Sequence, residues 1–406
     1  MSAPVVRAEL LASLVRLPGA EAVYEGAVVL VGDVLERLRA LPDASVNCVV
    51  TSPPYLDARD YGVPPTSWPE VTYRPRFDLP AVTVPAEVCC LGHESTLVAY
   101  VAHLVVVWRE LRRVLRADGV CWLNLGSGYS AGTTAKRKPT TTQGPRVPAA
   151  WAERCHGGRV RAGLRAKQLI PAPSAARDAL QADGWYVRNE VVWAKRRATP
   201  SSVRDRCTPS HEAVFLLTKR GSYRSHFERL ATPAIAGASR NRARKHGPDH
   251  RGEGIPWSGE TAHPRDVWWI ATERVNLAHT ATFPTELARR CVESGSDPGE
   301  VVLDPFAGTG TALAVARHLG RAAVGVEAQP SYVAMMPARA DQVLARLRSP
   351  RRDDRRDDRP KPARRAKPAP AAPRVLDAIS PLTFAAADHG PLFAKAPTAT
   401  EGAHAA

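Results

Sequence analysis

Short apolar runs and helical stripes alternate along most of this chain. Val28 to Val31 and Val46 to Val50 are compact valine-rich runs bounded by Gly, Asp and Pro, and they predict strands buried on both faces. Leu97, Val101, Leu104, Trp108, Leu111 and Leu115 recur at intervals of three and four, which predicts a helix with one apolar face. Arg109, Arg112, Arg113 and Arg116 fall on its other side and read as a solvated face. Far downstream, Val301 to Leu303 runs into a glycine turn and a helical stretch, Ala312 to Leu319, before another apolar strand from Ala322 to Val326. Strands alternating with helices predict a parallel, doubly wound α/β sheet. Ligands in such sheets bind outside the carboxyl ends of the strands, so distant strand ends can share one crevice.

Two of those strand ends carry chemistry. Thr51-Ser52-Pro53-Pro54-Tyr55 follows the Val46 strand. Proline fixes φ and lacks an N–H, so this turn offers acceptors without competing donors. Ser52 Oγ and the Pro53 carbonyl would accept both hydrogens of a planar exocyclic amine and draw its nitrogen toward a tetrahedral, reactive geometry, with Tyr55 stacked on the ring. The second strand end is Asp304-Pro305-Phe306-Ala307-Gly308-Thr309-Gly310-Thr311, a nucleotide-type turn from strand to helix. Gly308 and Gly310 would let the backbone approach a ligand, and the helix N-terminus would favour a carboxylate. Glu327 ends the next strand near the roughly twenty-residue offset at which an acidic side chain meets ribose hydroxyls. The absence of a G-x-x-x-x-G-K-[ST] string argues against a phosphate-cradling P-loop.

With these residues in view, the chain resembles the S-adenosylmethionine-dependent DNA amino-methyltransferases, in the permuted class whose catalytic motif precedes the cofactor motif. The likeness spans most of residues 26 to 340. Gly32-Asp33, Leu41-Pro42-Asp43 and the TSPPY segment look like the family's entry, and Asp118 to Gly126 looks like its next core strand. Gly184 to Lys195 and Ser210 to Lys219 are similar to its last two strands, and His279 to Pro284 to the segment that closes over the methyl donor through Phe283. The resemblance implies a Rossmann-like, mostly parallel, circularly permuted methyltransferase fold with an inserted target-recognition region. It implies S-adenosyl-L-methionine held by Asp33, Phe283, Asp304 to Thr311 and Glu327, catalysis at Ser52, Pro53, Pro54 and Tyr55, and duplex DNA as partner. A serine in the first motif position usually accompanies cytosine-N4 methylation and an aspartate adenine-N6 methylation, so Ser52 favours cytosine, with adenine as the alternative. An inactive DNA-binding relative and a methyltransferase acting on a protein glutamine or a small amine also stay open.

Composition then sharpens the choice of partner. The formal charge of +16 and pI of about 9.9 suit a polyanion. Residues 346–374 hold ten arginines and two lysines against four aspartates, a net +8, so half of the excess lies in a Pro/Ala-rich tail expected to be disordered. The basic, aperiodic interval with Arg240, Arg242, Arg244, Lys245 and Arg251 is the candidate DNA-reading region, since arginine suits phosphate contact and guanine readout. The expected layout is an extension (1–25), a catalytic half (26–220), a target-recognition region (221–278), a cofactor half (279–345) and the tail (346–406). A cognate restriction endonuclease is a further expected partner. Without a Pro-Cys dipeptide the thiolate chemistry of cytosine-C5 methylation has no nucleophile in its usual setting, and seven cysteines without a C-x-x-C pair give no sequence support to structural zinc or disulfides. No signal-like or membrane-spanning segment stands out, so a cytoplasmic protein is expected. The proline-rich intervals Tyr61 to His93 and Leu169 to Leu180 fit the pattern poorly and suggest weaker packing.

Overall fold

The computed structural model describes residues 10–130, 164–198, 200–233, 261–273 and 283–348. Arg240, Arg242, Arg244, Lys245 and Arg251 lie outside the described residues, as do residues 131–163, residues 279–282 of the His279 to Pro284 segment and the tail beyond Arg348.

Nine strands form the main sheet: β1 (Ala20–Tyr24), β2 (Ala27–Val31), β3 (Val46–Thr51), β4 (Leu115–Leu125), β5 (Tyr186–Lys195), β6 (His211–Thr218), β7 (Val267–Ile270), β8 (Val301–Asp304) and β9 (Ala322–Glu327). Their spatial order is β1-β2-β9-β8-β3-β4-β6-β5-β7. The run from β2 to β4 is parallel throughout, β7 pairs parallel to β5, and β1 and β6 run against their neighbours. The predicted doubly wound sheet is therefore present, with one reversed strand inside it.

Side chains alternate across the strands and feed two cores. In β2, Val28 and Leu30 face the helices α1 (Val34–Arg39), α2 (Leu97–Val114) and α3 (Ala172–Ala182), whereas Ala27 and Val29 face α4 (Thr285–Gly295), α5 (Thr311–His318) and α6 (Pro330–Arg348). The arginines of α2 keep solvent contact, as expected, and also tether the helix to its neighbours. Arg109 forks onto Asp183 below α3, and Arg113 reaches the Leu38 and Leu41 carbonyls together with Glu110 and Asp43. None of the described helices is long and apolar enough to cross a membrane.

Both proline-rich intervals are better ordered than their sequence suggests. Pro171 caps α3 and Pro173 sits in its first turn, where the missing N–H has no intrahelical acceptor to lose. Ala176, Ala179 and Leu180 then pack the helix into the core. The Tyr61 to His93 interval folds into two small hairpins, Thr66–Trp68 with Glu87–Cys89 and Val71–Tyr73 with Val82–Val84, and buries Trp68 and Tyr73 beside α2. The interval expected to read DNA is also partly sheet, since Val267–Ile270 forms the edge strand β7.

One buried ion pair ties the second half together. Arg339 of α6, fully buried, donates to Glu273 at 2.8 Å and to Thr311 Oγ1 at 3.0 Å, while Glu273 accepts from the Thr285 amide at 2.7 Å and its hydroxyl at 3.0 Å. The N-termini of α4 and α5 are thus locked to α6. Removing one partner of such a pair strands the other charge. Glu273→Ala is expected to cost about 3–5 kcal/mol in urea denaturation, and a loss below about 1 kcal/mol would show that Arg339 finds water instead.

Candidate active site

The order of winding reverses between β8 and β3, which opens a crevice at their carboxyl ends. Across it the Thr51 hydroxyl donates to Asp304 Oδ1 at 2.7 Å, joining the two motif-bearing strands. Asp304 also accepts from the Phe306 amide at 3.1 Å, and burial pushes its carboxyl up to about 7 against these two bonds.

On the β8 side, Gly308 has a left-handed φ of 53°, and a Cβ built on it meets no atom within 4 Å. The backbone there is open to close approach by a ligand. Its N–H donates to Glu327 Oε2 at 2.7 Å, while the Gln329 amide donates to Oε1 at 2.8 Å. A carboxylate has about four lone-pair positions, so the backbone amides leave it acceptor capacity for a ligand hydroxyl. Burial raises the Glu327 carboxyl to about 7, the backbone amide bonds from Gly308, Ala328 and Gln329 opposing the shift. Gly310 caps α5 in the left-handed region, and Thr309 and Thr311 are buried behind it. Phe306 and Phe283 are half-buried at opposite cores, and Pro305 is buried in the turn. The residues present fit an adenosyl ligand: an open glycine, a ribose-seeking carboxylate and half-exposed apolar side chains.

Asp33 has a different place from the one expected of a cofactor ligand. Its Oδ1 caps α1 by accepting from the Leu35 and Glu36 amides at 2.9 and 3.1 Å, and Oδ2 accepts from Thr66. The carboxylate is committed to the start of α1 and to the first hairpin of the Tyr61 to His93 interval. That interval reaches the ligand side through Tyr61, whose carbonyl accepts from Gln329 Nε2 at 3.1 Å.

On the β3 side, Ser52 and Tyr55 belong to a network that the motif alone does not reveal. Ser52 Oγ donates to the Tyr55 hydroxyl at 3.1 Å, which donates to Glu212 Oε2 at 2.8 Å. Asn124 Nδ2 donates to both the Tyr55 hydroxyl and Glu212, and Lys195 pairs with the other Glu212 oxygen. Burial, reinforced by Glu212, pushes the Tyr55 phenol well above its ordinary range, so it stays protonated. The Tyr55 ring lies against Gly126, where a Cβ would stand 2.7 Å from Cε2. Pro53 is buried, and the Pro54 carbonyl accepts from Tyr100 at 2.9 Å, which pins the turn to α2.

The reversed direction of β6 explains the convergence. Pairing of Val214 with Asn124 and of Trp193 with Glu212 brings the start of β6 beside the ends of β4 and β5. Asn124, Gly126, Lys195 and Glu212 received no role from the sequence. The available signal was a polar or charged residue at the margin of an otherwise apolar strand, which identifies a strand end but not its partner.

Residues 46–337 match the N6/N4 DNA methylase family. The chain is 37% identical to the type II methyltransferase M.Cfr9I of Citrobacter freundii over 308 residues, covering 76% of this chain and 85% of that one. It is 35% identical to M.XycI of Xanthomonas campestris pv. cyanopsidis over 313 residues, covering 77% and 87%. Among solved structures, the fold is similar to that of the PvuII DNA methyltransferase, with a TM-score of 0.49, 16% identity and coverage of 79% and 92%.

The two raised carboxyls give the ligand-free protein a pH signature. Each binds its proton more tightly folded than unfolded, since burial lifts it to about 7 from 3.8 for Asp304 and 4.5 for Glu327. Their stabilising contribution is complete below the ordinary carboxylate range and is lost as pH rises through about 7. Denaturation midpoints of the ligand-free protein are expected to fall between about pH 5 and about pH 8, less steeply in Asp304→Asn. Identical slopes for the two proteins would show that Asp304 is ionised throughout.

Proposed function

The chain belongs to the N6/N4 DNA methylase family, and on that basis we propose that it moves a methyl group from S-adenosylmethionine to the exocyclic N4 amine of a cytosine turned out of duplex DNA. The observation that carries this reading is Ser52 at the head of the S-P-P-Y turn, its hydroxyl oriented by Tyr55 at the mouth of the crevice. The type II relatives support a role in site-specific modification, with a restriction endonuclease as the expected counterpart.

The roles follow from placement. Extracting a base costs a few kcal/mol of unstacking, and stacking on Tyr55 with bonds to Ser52 and the Pro53 carbonyl offsets that cost. The turn cannot sag, because Tyr100 holds the Pro54 carbonyl and Gly126 backs the Tyr55 ring. Glu327, beside the open backbone at Gly308, would hold the adenosyl ligand on the neighbouring strand ends. When bound, that ligand supplies an electrophilic methyl on sulfur, so the protein's share is mainly alignment of two reactants. Methylation leaves the nitrogen with a proton to shed. Ser52, Tyr55 and Glu212 form a continuous line of hydrogen bonds along which Ser52 can receive that proton as the line passes charge toward Glu212.

Digestion of methylated duplex DNA to nucleosides followed by mass spectrometry tests the base assignment. N4-methylcytosine is the expected product, and N6-methyladenine would keep the mechanism while replacing the base. Glu212→Gln tests the line of bonds. It is expected to lower kcat about 10- to 100-fold while leaving S-adenosylmethionine affinity by calorimetry within about twofold. An unchanged kcat would remove Glu212 from the mechanism.

A further inference from the structure

Beneath the hairpin interval, remote in role from the methyl-transfer crevice, three side chains of different chemistry converge. Glu87 and Cys89 lie two apart on one short strand, a spacing that places both on the same face, and His103 comes from α2. A carboxylate oxygen, a thiol sulfur and an imidazole nitrogen from these residues all lie within 4.8 Å of one another. His103 is fully buried, yet its Nε2 and the facing Glu87 Oε1 both lack a hydrogen-bond partner although they stand only 3.4 Å apart. Orphaned buried polar atoms are uncommon and call for an explanation.

We propose that Glu87, Cys89 and His103 bind a divalent transition metal of the zinc class, which fastens the hairpin interval to α2. Two ligands about 2.0–2.2 Å from one tetrahedral ion stand roughly 3.3–3.5 Å apart, so the spacing of Nε2 and Oε1 suits a shared ion. The mixed nitrogen, sulfur and oxygen set suits zinc, with water completing the tetrahedron. The surroundings match a metal-bound histidine. Nδ1 of His103 bonds to the fully buried Glu94 at 2.9 Å, the arrangement that fixes the ring and leaves Nε2 for a metal. Trp68 stacks on the imidazole at 4.3 Å and 10°, and its indole N–H donates to the Cys89 carbonyl at 3.0 Å, so one side chain steadies two of the ligands. No local cysteine spacing reveals the site, because its ligands meet only after the hairpin folds onto α2.

The test is metal content and cobalt spectroscopy on the full chain purified without a histidine tag. Stoichiometric zinc after dialysis is expected, and Co²⁺ should give thiolate-to-metal charge-transfer absorption. Cys89→Ser should abolish that absorption with the circular dichroism of the wild type retained, while Cys207→Ser, at an exposed thiol, should leave it intact. Glu94→Gln should weaken metal affinity about 10- to 100-fold. A dialysed protein without zinc whose Co²⁺ form shows no thiolate band would overturn the proposal and leave His103 held between Glu94 and Glu87 without an ion. Persistence of the band in Cys89→Ser would equally overturn it.

Discussion

The hydrogen bond from Thr51 to Asp304 bridges 253 positions of sequence at the point where the sheet reverses its winding. Each half of the fold brings its own motif to a strand end, and neither motif can act on the other's ligand unless those ends are held side by side. The bond is buried and short, and it joins the residue before Ser52 to the residue that opens the glycine turn. The parallel pairing of β3 with β8 sets the spacing, and this bond sets the height at which the two turns leave the sheet.

Around that joint the two sides are built differently. The β8 side is a backbone site, with an open glycine and amides gathered on Glu327. The β3 side is a side-chain site, where Ser52 and Tyr55 depend on Asn124, Glu212 and Lys195 from three other strands. A backbone site follows largely from local turn geometry, whereas the side-chain site depends on correct pairing of β4, β5 and β6.

That difference explains what the sequence made legible. The strands around Val28, Val46, Val301 and Ala322 were readable because runs buried on both faces are continuous and apolar, and α2 because its stripe repeats at three and four. The glycine turn and S-P-P-Y carry their chemistry in consecutive residues. Glu212 was not legible as a partner of Tyr55, because the contact arises from the register of a reversed strand. At Asp33 the sequence showed an acidic residue after a strand but not its bonds to the start of α1 and to Thr66, which lies in an interval that looked irregular. The prolines of α3 looked disruptive only until their place in its first turn was known.

The Lys195–Glu212 pair has a consequence of another kind. Those residues stand at the two ends of the β5–β6 connection, and the Lys195 amide also donates to the Ser210 carbonyl at 2.8 Å. The connection is cinched at its base, and the cinch includes the carboxylate that holds Tyr55. The connection leaves and rejoins the sheet at one point, so the carboxylate that holds Tyr55 keeps its place through the base of the connection rather than through its length.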